Sequence, residues 1–158
     1  MEEEDGGREV TLGDYAVAKG KFACHGVGSS LVISMRDNER KVGGVAHALL
    51  PRQDEKVVKS AKYVDNAIEF LWEEMKRKEG KKFEAKLVGG ATIFGSVTGE
   101  RNLESAIKKL NELGVGMVAK DVGGGRGRNC LFDVESGKIK ILYSIREGFL
   151  VKWTEKII

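Results

Sequence analysis

The sequence has only two cysteines, two histidines and one proline among its 158 residues. Cys24 and Cys130 can form one disulfide at most, and neither belongs to a CxxC pair, so a disulfide-rich secreted domain and a zinc knuckle are excluded. His25 and His47 lack the H-x-x-x-H spacing of many zinc sites, and no metal site is predicted. No apolar run approaches the roughly 18 residues of a transmembrane helix, so membrane insertion is not expected.

An excess of charge of one sign is also missing. The 27 basic and 24 acidic residues leave a net charge of +3, and lysines alternate with glutamates instead of forming a basic stripe, so nucleic-acid binding is not expected. The acidic start, residues 1–8, has neither the basic nor the apolar part of a signal peptide, and a cytoplasmic location is expected. One domain over residues 1–158 is predicted, with residues 1–10 disordered.

Alternating runs and two longer helical patterns predict an α+β fold. Apolar residues recur at three- and four-residue spacing from Val57 to Met75, which predicts an amphipathic helix that ends near Gly80. Asn102 is expected to cap a second helix and Gly114 to close it. Strands are predicted at residues 11–18, 31–35, 42–50, 83–87, 115–119, 130–134, 139–145 and 149–153. Because hairpins dominate, we expect a layered α/β sandwich with a mostly antiparallel sheet and two main helices.

Two glycine-rich segments, Gly89–Ala91 and Asp121–Arg128, could be taken for anion-binding loops. The first lacks the G-K-[ST] ending of a phosphate loop, so a tight turn after a strand is the better prediction. The glycines of the second segment are expected to let its backbone approach the turn that carries the candidate nucleophile.

That turn is the segment Gly26–Ser30, which opens an apolar strand, while His47 lies on the next predicted strand, 17 residues after Ser30. A hydroxyl at the mouth of a strand with an imidazole nearby is the arrangement of a nucleophile and its base. Antiparallel neighbours lie about 5 Å apart, so the two side chains can meet on one face. Gly26, Gly28 and Ser29 are candidates for substrate binding, because their backbone N–H groups can hold a developing oxyanion. The alternative is an ordinary turn beside a core histidine.

The same residues resemble the chemoreceptor glutamine deamidases of the CheD family, whose signature is roughly T-L-G-L-G-S-C followed by G-G-M-A-H-x-x-L-P. Further similarity spans about residues 11 to 140 in the family's order: Leu12–Val17, Lys62–Ile68, Lys86–Phe94, Asp121–Arg128 and Ser136–Lys138. The resemblance implies a layered α/β fold without a cofactor. It also implies that the His47 position is the base and the Ser30 position the nucleophile, which converts receptor glutamine to glutamate with release of ammonia.

Two positions depart from the family pattern. The family's catalytic cysteine falls on Ser30, and the threonine six residues earlier, which helps to orient the histidine, falls on Cys24. Three interpretations stay open: Ser30 is a slower nucleophile, Cys24 has become the nucleophile with His25 or His47 as base, or the chain binds its partners without catalysis. An engineered Cys-to-Ser change that traps an inactive form is a fourth, although one engineered change would not alter both positions.

The resemblance also implies partners, namely methyl-accepting chemoreceptors and the CheC phosphatase. The leading prediction is therefore a cytoplasmic chemotaxis hydrolase of the protein-glutamine glutaminase type. The first rival is a CheD-like adaptor that binds receptor or CheC without deamidating either. The second rival is an unrelated hydrolase on a similar fold, which would act on free glutamine or small amides.

Overall fold

In the computed structural model, residues 7–55 and 58–158 are described, and they form ten strands and two helices. The helices are α1 (Val64–Arg77) and α2 (Thr98–Leu113). The strands are β1 (Arg8–Glu9), β2 (Tyr15–Val17), β3 (Lys21–Val27), β4 (Leu31–Asp37), β5 (Val42–Ala48), β6 (Glu84–Gly89), β7 (Gly116–Val122), β8 (Arg128–Asp133), β9 (Ile139–Glu147) and β10 (Leu150–Ile157). Neither described helix is long and apolar enough to span a membrane.

The strands divide between two five-stranded sheets, which corrects the expectation of a single sheet. The first sheet has the order β2-β5-β4-β6-β7 and the second has the order β1-β3-β8-β9-β10. The pairings of β1 with β3 and of β6 with β7 are parallel, and the other pairings among the described strands are antiparallel. The α+β class is thus confirmed, and most pairings are antiparallel as expected.

Strand β4 is buried along its whole length because it lies between two cores. Leu31, Ile33 and Met35 pack against the core that the first sheet shares with α1 and α2. Val32 points to the opposite face and joins a second core with side chains of the other sheet, such as Phe22 and Phe132. The layers are therefore helices, first sheet and second sheet, and alternate residues of β4 serve both interfaces.

Both predicted helix starts were wrong. Helix α1 begins at Val64, because the backbone N–H groups of Leu49 and Leu50 donate to the Lys62 carbonyl and tie that segment to the end of β5. Val57, the predicted start, lies outside the described residues. Helix α2 begins at Thr98, so Asn102 is not its cap, whereas Gly114 closes it with a left-handed φ of 71° as predicted.

The N-terminal and C-terminal strands also differ in part from the prediction. Arg8 and Glu9 form β1 within the segment that was expected to be disordered; residues 1–6 of that segment lie outside the described residues. The predicted strand at 11–18 is shorter, at Tyr15–Val17, and β3 was not predicted. The predicted last edge strand is present as β10.

Asp37, at the end of β4, joins the β4–β5 hairpin to the segment before β6. Burial alone would raise the pKa of this carboxyl, but backbone N–H groups of Lys81, Arg40, Lys82 and Glu39 donate to it and lower its pKa from 3.8 to about 2. Hydrogen bonds to an ionised acceptor are stronger than neutral ones. The ionised form of Asp37 therefore stabilises the fold.

We expect Asp37→Asn to lower the free energy of unfolding by about 1–3 kcal/mol at neutral pH, because four donors lose a charged acceptor. The folded pKa is depressed, so this stabilisation is present above pH 3.8 and is lost as the pH falls toward 2. Denaturant titrations between those pH values test this, with the exposed Asp54→Asn as control. A difference that stays constant over the whole range would contradict the assignment.

Candidate active site

The structure brings Ser30 and His47 into direct contact. Ser30 lies just before β4, and Val32 pairs with His47 across the β4–β5 ladder. Paired residues of neighbouring strands lie on the same face, and so do residues two apart in one strand. Ser30 is two residues before Val32, so Ser30 and His47 point to the same side. The Oγ of Ser30 is 2.8 Å from the Nε2 of His47, with both residues buried at 5% and 2% exposure. The contact expected from the sequence is therefore present.

The turn before Ser30 is fixed by hydrogen bonds to three consecutive carbonyl oxygens. The Gly28 carbonyl accepts from the Ala91 N–H at 2.9 Å, and the Ser30 carbonyl accepts from the Gly90 N–H at 2.8 Å. Between them, the Ser29 carbonyl accepts from the Nδ2 of Asn102 at 2.8 Å. The nucleophile position is thus held by the end of β6 and by helix α2.

Gly89 makes the close approach of β6 to this turn possible. Its φ is 113°, and a Cβ at this position would lie 2.4 Å from the Ser30 carbonyl oxygen. A larger residue would be strained by both its backbone angle and its neighbour. Gly89 is the last residue of β6, and Gly90 and Ala91 leave the strand without forming a regular turn, so the prediction of a tight turn at Gly89–Ala91 was wrong in this detail.

Arg128 secures the second glycine-rich segment against the same turn. Its guanidinium is buried, donates to the Gly123 carbonyl at 2.8 Å and forms an ion pair with Asp121 at 3.4 Å. The Gly123 N–H donates in turn to the Gly89 carbonyl at 2.9 Å. The segment therefore approaches the candidate site through backbone contacts, as expected.

The surroundings of His47 favour the neutral form of its imidazole. Burial lowers its pKa from 6.5, the Val10 backbone opposes this effect in part, and the charge of His25 lowers the pKa further. No hydrogen bond of normal geometry reaches Nδ1 from the described residues, although Val10 lies close enough to affect the ring. Neutral Nε2 can accept the Ser30 proton, but Nδ1 lacks the firm acceptor that orients the base in a serine triad.

Cys24 has a different partner from the one the family pattern implies. It lies on β3 directly opposite Cys130 of β8, and both thiols are free and buried. A hydrogen bond with the Cys130 side chain, and then burial, raise the pKa of Cys24 well above its ordinary value. Within the described residues, no hydrogen bond joins Cys24 to Ser30 or His47.

The three substrate-binding candidates differ in their surroundings. The N–H of Gly26 donates to the Oδ1 of Asn129 at 2.9 Å. The expectation that this N–H is open to an oxyanion was therefore wrong. Gly28 and Ser29 are half-buried beside the nucleophile, and their roles stay predictions. Among the described residues, no group of three or more histidine, cysteine, aspartate or glutamate side chains is arranged to hold a metal ion.

Asn102 is the positioning residue that the sequence analysis misassigned. Its Nδ2 donates both to the Ser29 carbonyl and, at 3.0 Å, to the Leu49 carbonyl. Asn102 shares the buried stripe of α2 with Ala106 and Leu110. A polar residue in register with an apolar stripe is the signal that indicated an internal role rather than a cap.

Comparison with known proteins gives a consistent result. A family model described as CheD chemotactic sensory transduction matches residues 49–143. The chain is 39% identical over 139 residues to a Thermotoga maritima protein named chemoreceptor glutamine deamidase CheD, with 84% of this chain and 88% of that protein covered. Proteins of Pyrococcus abyssi and Pyrococcus horikoshii whose names also assign them to CheD are 39% and 37% identical, with 84% and 91% of this chain and 89% and 96% of theirs covered. The family match begins after His47 and therefore includes neither member of the Ser30–His47 pair.

We expect Asn102→Leu to lower the free energy of unfolding by about 1–3 kcal/mol, because the carbonyls of Ser29 and Leu49 lose their shared donor. Chemical denaturation measures the change. Asn111→Leu on the exposed face of the same helix is the control. Equal effects of the two substitutions would show that Asn102 does not hold the turn.

The imidazole of His47 is expected to titrate below pH 6.5, because burial disfavours its charged form. Its capacity as a base is then complete at neutral pH and is lost as the pH falls through the lowered pKa. NMR titration of the ring signals, assigned by their absence in His47→Ala, measures this value. A midpoint at or above 6.5 would contradict the proposed environment.

Proposed function

Because this chain belongs to the CheD family, we propose that it is a chemotaxis hydrolase that deamidates glutamine side chains of methyl-accepting chemoreceptors. The observation that carries the proposal is the buried 2.8 Å hydrogen bond between Ser30 and His47. In this proposal Ser30 is the nucleophile and His47 the general base. No cofactor is required, and the proposed location is the cytoplasm.

The proposed reaction has two halves. The Oγ of Ser30 attacks the carboxamide carbon while its proton passes to the Nε2 of His47, which gives a tetrahedral intermediate. His47 then returns the proton to the nitrogen, the C–N bond breaks, and ammonia leaves an ester on Ser30. Water, deprotonated by His47, attacks this ester and releases glutamate and the free serine.

The backbone N–H groups of Gly28 and Ser29 are the proposed donors to the oxyanion of both intermediates. They lie immediately before the nucleophile, and the turn that carries them is fixed through its carbonyls. A donor set that does not have to reorganise stabilises a developing charge more effectively than water does. Gly26 is not proposed as a donor, since Asn129 already accepts its N–H.

Serine makes this a slow version of the reaction. A hydroxyl is far harder to ionise than a thiol and depends on a well-oriented base. Nδ1 of His47 has no hydrogen-bond partner in the described residues, so the Val10 backbone is the proposed, weak orienting group. Cys24 is a poor replacement nucleophile, because its raised pKa keeps the buried thiol protonated.

The adaptor is the second candidate function. A chain that binds chemoreceptors or the CheC phosphatase without deamidation would tolerate Ser30 and the missing partner of Nδ1. The specific observation that favours it is the serine at position 30, where the resemblance to the family implies a cysteine. The two candidates are separated by catalysis alone, since both predict receptor binding.

The test is intact-mass analysis of a chemoreceptor cytoplasmic fragment incubated with the chain as given and with single variants. A gain of about one dalton per glutamine reports deamidation. We expect a slow gain with the chain as given and a rate at least about tenfold higher with Ser30→Cys. His47→Ala is expected to lower the rate by about 10²- to 10⁴-fold.

Ser30→Ala is the matched control, because it removes only the hydroxyl. A gain that survives in Ser30→Ala would assign the chemistry to another group. No gain with the chain as given but a gain with Ser30→Cys would favour the adaptor function for the chain with Ser30. No gain with any variant would reject the deamidase proposal for this fold.

A further inference from the structure

Phe94 adopts a backbone conformation that its side chain disfavours. Phe94 and Gly95 are the central residues of a turn in which the Ser96 N–H donates to the Ile93 carbonyl at 3.1 Å, and their φ angles are 51° and 72°. A turn with positive φ at both central positions favours asparagine, aspartate or glycine at the first of them. An aromatic residue there is strained.

The Phe94 side chain is fully exposed, so burial of the ring contributes no stabilisation that could offset this strain. The other described non-glycine residues with positive φ are Lys41 and Glu79, both polar residues for which exposure has no cost. An exposed aromatic in a left-handed conformation therefore serves neither the local backbone nor the core. Strained residues of this kind cluster at functional sites.

The position of Phe94 is fixed relative to the candidate active site. Two residues of its loop, Ala91 and Thr92, donate their N–H groups to the carbonyls of Gly28 and Gly124. The side chain of Ile93 lies over Gly28, in the turn that carries Ser30. Phe94 is thus presented on a loop that is tied directly to the nucleophile turn.

Two further exposed apolar residues, Leu12 and Leu50, lie close along the chain to residues of the candidate site. Leu12 precedes Gly13, whose N–H donates to the His47 carbonyl. Leu50 follows Leu49, whose carbonyl shares the Asn102 donor with Ser29. Leu12, Leu50 and Phe94, here called the apolar rim, each lie within a few residues along the chain of His47 itself or of a residue whose N–H donates to the carbonyl of His47 or Ser30.

The length of a glutamine side chain limits how far the polypeptide that carries it can lie from Ser30. The carboxamide carbon lies only about 4 Å from Cα, whereas the Ser30–His47 pair is almost wholly buried. A glutamine that delivers its carboxamide to Ser30 must leave its backbone and neighbouring side chains at the mouth of the site. Apolar neighbours of that glutamine would then be removed from water against the rim.

We propose that Phe94 is the docking residue for the polypeptide segment that carries the target glutamine, and that this segment presents an apolar side chain beside the glutamine. The proposal rests on the proposed deamidase function and names its substrate class. It accounts for three features of Phe94 together: its exposure, its strained backbone and its attachment to the nucleophile turn. Free glutamine lacks such neighbours and would gain nothing from Phe94.

The test measures the affinity of a labelled chemoreceptor cytoplasmic fragment for the chain as given, Phe94→Asn and Phe94→Tyr. Asparagine suits the turn, so we expect Phe94→Asn to melt no lower than the chain as given. We expect its dissociation constant to rise by about 10- to 30-fold, because an aromatic anchor is lost. Phe94→Tyr, which keeps the ring, is expected to retain most of the affinity.

Lys41→Asn is the matched control, since Lys41 has almost the same φ, 54°, and lies at the far end of β4 and β5. It removes comparable strain and should leave receptor affinity unchanged. Equal affinities of Phe94→Asn and the chain as given would overturn the docking role while leaving the deamidase proposal intact. An absence of receptor binding by the chain as given would reject the proposed function and the docking proposal together.

Discussion

The candidate site depends on hydrogen bonds that hold three successive carbonyls of the nucleophile turn. Gly90 and Ala91 supply two donors from the end of β6, and Asn102 supplies the third from inside α2. A turn fixed in this way presents Ser30 to His47 without further ordering when substrate binds, which is the condition for effective positioning. The end of β6 in the first sheet and helix α2 therefore both hold this short segment of backbone.

The local part of this arrangement followed from the sequence, and the long-range part did not. The Ser30–His47 contact spans one hairpin, so alternation and strand pairing were enough to predict it. Asn102 meets Ser29 across 73 residues, and periodicity carries no information on such a contact. Strand β3 was missed because His25 and Gly26 interrupt its apolar pattern, and the division into two sheets was missed with it.

Cys24 and Ser30 stand where the family pattern implies threonine and cysteine, and both side chains are accommodated in the interior. The hydroxyl of Ser30 is hydrogen-bonded to His47, and Cys24 lies opposite Cys130 in the core between the sheets, where both thiols are free and buried. Ser30 keeps a hydrogen bond to Nε2 of His47, but Nδ1 of the same ring is a buried polar atom without a partner in the described residues, and such atoms are costly in a core. Ser30 and Cys24 therefore both fit the packed interior, and the proposed consequence of Ser30 concerns the chemistry of the site.

Burial has two opposed effects on that chemistry. It keeps His47 neutral and ready to accept a proton, but it also leaves Nδ1 without a hydrogen-bond partner among the described residues. A cysteine in place of Ser30 would need the imidazole only to stabilise a thiolate, whereas serine needs it to remove a proton during attack. A poorly oriented base thus limits the hydroxyl far more than it would limit a thiol. In the proposed reaction, the hydroxyl of Ser30 and the weakly oriented imidazole of His47 would therefore limit the rate, whereas the hydrogen bonds that hold the turn are already in place.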